Sequence, residues 1–70
     1  MIQRLVIMYP GDAGDWVVEC PSLPGCITRA PTREEAIRYI KEEIVIYIEA
    51  LADQGEPIPE DQFEFFVVSV

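Results

Sequence analysis

The sequence predicts an α+β fold of β-β-β-α-β order: a four-stranded mixed sheet, strands ordered 3-2-1-4, with one helix on one face. Three observations lead there. Short runs rich in β-branched and large apolar residues alternate with proline- and glycine-bearing turns over the first thirty residues. One long stretch then carries apolar residues at spacings of three and four behind a capping signal. A last β-rich run, FEFFVVSV, closes the chain. With 70 residues, 1–70 is read as a single domain.

Taken in order, residues 3–9 (QRLVIMY) form the first predicted strand, and the turn cluster PGDAGD follows. Residues 16–20 (WVVEC) make the second strand, stopped by Pro21, which cannot donate to a ladder. Leu23-Pro24-Gly25 predicts a type II turn, proline presetting φ and glycine accepting the positive φ. Residues 26–29 (CITR) are a short third strand. Thr32-Arg33-Glu34-Glu35 fits a capping box, and the two glutamates complement the positive end of the helix that starts there. Ala36, Ile37, Ile40, Ile44, Tyr47, Ile48 and Leu51 form one apolar stripe, and Gly55 is a natural terminator, so the helix spans about 33–53. EPIPED is a proline-set linker into the last strand, 63–70. Short turns make the first three strands an antiparallel meander. A right-handed crossover through the helix brings the fourth beside the first.

One helix covers one sheet face. Placing Arg4, Glu19 and Glu64 away from it, because an unpaired buried charge is costly, turns Leu5, Ile7, Trp16, Val18, Cys20, Phe65 and Val67 toward the helix. Val6, Met8, Val17, Phe66 and Val68 are then left on the far face. Half of the residues are hydrophobic, and a chain this short buries only about 60% of its unfolded surface. The expectation is a homodimer or higher homo-oligomer, with those five residues at the interface.

The chemistry of the chain excludes more than it suggests. Thirteen acidic residues against five basic give a net charge of −8, the opposite of a nucleic-acid footprint, so no direct nucleic-acid binding is expected. There is no histidine to activate Cys20, Cys26, Ser22 or Ser69 as a nucleophile, and two cysteines alone do not close a zinc site. The carboxylates fall in turns and along the helix, and no glycine-rich phosphate loop is present. No cofactor, metal or catalytic residue is therefore expected, and the chain is read as a non-enzyme. Without a leader or a long apolar run it is placed in the cytoplasm, away from membranes, with both thiols reduced.

With these residues laid out, the chain resembles the HicB-like antitoxin family. The resemblance rests on Gly14-Asp15-Trp16-Val17-Val18-Glu19-Cys20-Pro21, Leu23-Pro24-Gly25-Cys26, Thr32 with Glu34-Glu35-Ala36, and Pro57-Ile58-Pro59. Ala30-Pro31 stands where the family pattern usually has a glycine. The resemblance implies a partial ribonuclease-H-like fold. It also implies the role of an antitoxin in a type II toxin–antitoxin system, neutralising a small basic mRNA-cleaving toxin of the HicA type. Full-length members resemble two-part proteins with a DNA-binding segment. None is seen in these 70 residues, so autorepression is not expected of them. Asp12 and Asp15 in the first turn and Glu42 and Glu49 on the helix are the candidate contacts for the basic toxin. The alternative is a stand-alone homo-oligomeric module of the same family with an unassigned regulatory role.

Overall fold

The structure, a computed structural model, describes residues 3–70. Three strands, β1 (Ile7–Pro10), β2 (Trp16–Glu19) and β3 (Ile27–Ala30), form an antiparallel meander in the order β1-β2-β3. The helix α1 (Arg33–Asp53) follows. Met8 lies opposite Val18 and Val18 opposite Thr28, so the register is continuous across the sheet. The meander order is the one the short turns require.

Local chemistry fixes each junction. Gly11 N–H donates to Asp15 C=O at 2.8 Å and closes the first hairpin. A Cβ at Gly11 would run into the Asp15 carboxylate, so a side chain there would require Asp15 to move. In the second connection Cys26 N–H donates to Leu23 C=O at 2.9 Å, and Gly25 sits at φ 82°. This is the proline–glycine turn the sequence predicts. Thr32 caps α1, its hydroxyl accepting from Glu35 N–H at 3.2 Å. At the other end Gly55 N–H bonds Ala52 C=O and Glu56 N–H bonds Leu51 C=O, with Gly55 at φ 70°. That pair of bonds is a Schellman closure, and it needs the positive φ that glycine supplies.

The core lies between α1 and one sheet face. Val18, Cys20, Leu23, Cys26, Ala30, Ala36 and Ile40 are buried together, with Met8, Trp16, Tyr39, Ile44, Tyr47 and Ile48 packed around them. Tyr47 also donates its hydroxyl to Pro24 C=O at 2.8 Å, tying the middle of the helix to the second turn. The helix lies over β2 and β3, and its backbone does not approach that of β1, from which Met8 reaches toward the core. The sheet is therefore covered off-centre.

Two expectations need correction. The first concerns the fourth strand: residues 63–70 pair with nothing among the described residues, and the sheet has three strands rather than four. Phe65, Phe66 and Val67 stand 77%, 74% and 86% exposed. Among the described residues no strand pairs with the free edge of β1.

The second concerns the faces of β1. Met8 shares a face with Val18, so Val6 and Met8 look toward the helix and Ile7 looks away. The expectation failed at Arg4, whose charge was placed outward. Arg4 instead lines the helix side with its stem while its guanidinium donates to Ser22 Oγ at 3.3 Å. A long cationic side chain can line apolar surface and keep its head group bonded. The far face is consequently mixed: Ile7, Glu19 and Ile27 lie in one row, Tyr9, Val17 and Arg29 in the next. Val17 is already buried there, at 2% exposure. Of the five residues expected on a bare far face, only Val17 lies on it. Val6 and Met8 are on the helix side, and Phe66 and Val68 belong to the extended C-terminal segment.

Replacing Thr32 with alanine removes the side-chain acceptor at the helix start, and should lower stability by about 1 kcal/mol. Urea denaturation followed by circular dichroism checks this, with native helix content expected before the transition.

Candidate binding surface

Two surfaces stand out: an apolar groove and a set of exposed carboxylates. The groove is a direct product of the off-centre helix. Val6 and Met8 from the β1 side and Ile37, Ile40, Ile44 and Val45 from α1 wall a cavity of about 640 Å³. Val18 lies at its base, and Arg4 and Lys41 bring the positive charges to its lining. Val45 and Ile46 remain exposed on the helix, although the helix has a polar side to present. The sequence carried a signal for this. Val45 and Ile46 are apolar yet fall outside the stripe that builds the core, so that part of the helix has more apolar surface than one sheet requires.

The carboxylates are dispersed. Asp12 is exposed in the first hairpin turn. Asp15 is turned inward: its side chain is 22% exposed, and Oδ2 pairs with Arg29 Nη1 at 3.4 Å, the one ion pair among the described residues. Its Oδ1 is buried without a partner. Asp15 therefore braces the hairpin against β3 more than it faces solvent. Glu42 and Glu49 are exposed, and their seven-residue separation puts them two turns apart on one side of the helix. No hydrogen bond or ion pair joins the hairpin carboxylates to those of the helix among the described residues. Among the described residues no group of three or more His, Cys, Asp or Glu side chains could hold a metal ion. No described helix is long and apolar enough to cross a membrane.

Cys20 and Cys26 are both buried and unbridged, lying under the second turn as part of the core. Burial pushes the Cys26 thiol above its ordinary 9.0, and the nearby Cys20 and Glu43 push the same way. A thiol held in this way is a poor nucleophile at neutral pH.

The chain matches the family model for HicB-like antitoxins of bacterial toxin–antitoxin systems over residues 5–64. It is 44% identical over 63 residues to a UPF0150 protein of Thermoplasma acidophilum, covering 90% of this chain and 91% of that one. A UPF0150 protein of Synechocystis is 42% identical over 48 residues, which are 69% of this chain and 61% of the relative. Among solved structures, the N-terminal domain of the Burkholderia pseudomallei antitoxin HicB superposes with a TM-score of 0.68 at 26% identity. That match covers 91% of this chain and 69% of the other. The chain belongs to the HicB-like antitoxin family.

The raised Cys26 thiol gives stability a defined pH dependence. The unfolded thiol ionises near 9.0 and the folded one only above it. Stability from this group is intact below pH 9.0 and is lost as pH rises through the folded value. Urea midpoints should therefore begin to fall only as pH rises past about 9, and Cys26→Ala should flatten that fall.

Proposed function

We propose that this chain is the neutralising partner of a small basic, mRNA-cleaving toxin of the HicA type, and that it acts in the cytoplasm by binding rather than by catalysis. Membership of the HicB-like antitoxin family, matched over residues 5–64, carries the reading. The net charge of −8 supports it, since an acidic surface steers a basic ribonuclease into contact and disfavours RNA itself. Glu42 and Glu49 on the helix, with Asp12 at the hairpin, are the exposed carboxylates of this docking surface, and Asp15 contributes its partly exposed edge. On this reading the fold is a partial ribonuclease-H-like scaffold used as a binding platform.

A second reading is a homo-oligomeric HicB-like module with a regulatory role and no toxin. The exposed apolar C-terminal segment favours self-association, which both readings accommodate. A toxin partner is what separates them.

Co-purification with the product of an adjacent gene encoding a short basic protein should give a stable complex and suppress that protein's RNA cleavage. Replacing Glu42 and Glu49 together with lysine should slow association and weaken binding roughly tenfold at low salt, and less at high salt, as expected for rim charges. Surface plasmon resonance at two ionic strengths measures both effects. Full growth arrest by the neighbour despite co-expression of this chain would contradict the reading.

A further inference from the structure

The second half of α1 breaks three local rules on one face. From Glu42 to Asp53 the helix carries Glu42, Glu43, Glu49 and Asp53 and no basic residue, and Arg33, Arg38 and Lys41 all precede it. The last turn of a helix bears partial negative charge, so a cation there is the stabilising choice. Here the last turn holds none. Glu49 and Asp53, four residues apart, are a like-charged pair on adjoining turns, which weakens a helix. The one ion pair among the described residues joins Arg29 to Asp15, so no ion pair within them offsets these carboxylates.

The third departure is apolar. Val45 and Ile46 are 48% and 59% exposed. Both are β-branched, and a branched side chain loses rotamer freedom in a helix. On an exposed turn that loss is not offset by burial. Glu42, Ile46, Glu49 and Asp53 follow one another at spacings of four, three and four, so Ile46 stands within the acidic row. Lys41, Glu42, Val45 and Ile46 line one shallow hollow. An apolar side chain ringed by charge has the anatomy of an interface anchor and its rim. Local rules fail together where function overrides stability.

We propose that this face, from Glu42 to Asp53, docks a basic protein, with Ile46 as the buried anchor and Glu42, Glu49 and Asp53 as the paired rim. A partner that presents an apolar socket edged by lysine or arginine relieves all three penalties. It buries Ile46, separates the like charges with cations, and supplies the positive charge that the helix end lacks. RNA and anionic membranes are repelled by the same face. A second copy brings its own net charge of −8 to it. The inference rests on the antitoxin reading for the source of the partner. It adds a division of roles: the carboxylates govern association, and Ile46 governs release.

The free chain gives the first test. Ile46→Lys should leave the urea midpoint unchanged or raise it, because it removes an exposed branched side chain and sets a cation beside Glu42 and Glu49. A lowered midpoint would make Ile46 a residue that holds the fold and would overturn the proposal. The second test uses the purified short basic protein encoded beside this chain as the probe. Ile46→Ala should speed its dissociation at least about tenfold while leaving the association rate within about twofold. Release of the probe at the wild-type rate would overturn the inference and leave the antitoxin reading standing. Failure of the wild-type chain to bind the probe would overturn that reading, and this inference with it. Light scattering supplies the last contrary result: an Ile46→Lys chain of lower mass than wild type would assign the face to a second copy.

Discussion

The organising constraint of this molecule is the seat of α1 over β2 and β3. The helix buries Ala36 and Ile40 against Val18, Ala30 and the second turn, and Tyr47 fastens it to Pro24. The helix backbone does not approach β1, so among the described residues the first strand keeps a free edge and an open apolar flank. A three-stranded sheet with one helix is close to the smallest unit that can close a core. Here the core closes on two strands and leaves the third half covered. The turn glycines, the cap and the Schellman closure all serve to hold the helix in that position.

The elements with local causes were legible in the sequence. The helix limits followed from Thr32, Glu35 and Gly55, and the observed helix has the expected span of Arg33–Asp53. The proline–glycine turn and the meander were equally local. What could not be read was anything that depended on where a long side chain ends or on what lies beside an edge. Arg4 was judged by its charge, yet its stem lies along the groove and its head bonds Ser22. That one assignment inverted β1 and placed Val6 and Met8 on the wrong face. The final run has the composition of a strand, but composition supplies no partner, and residues 63–70 pair with nothing among the described residues. The groove was not read: Val45 and Ile46 are surplus to the apolar stripe, but nothing in the sequence shows that Val45 would flank an uncovered strand.

The candidate contacts for a toxin were chosen by charge, and structure sorts them by availability. Glu42 and Glu49 are free on one side of α1, whereas Asp15 is engaged with Arg29 and buried at one oxygen. An acidic helix face and an apolar groove on the same small domain allow two kinds of contact. The first is charge-steered and sensitive to salt, and the second depends on buried area.

Amide hydrogen exchange on the intact chain tests most directly whether α1 is seated over β2 and β3 as the structure has it. The account predicts slow exchange in β2 and along the middle of α1, with fast exchange throughout 63–70. Protection of 63–70 to the level of β2 would contradict it.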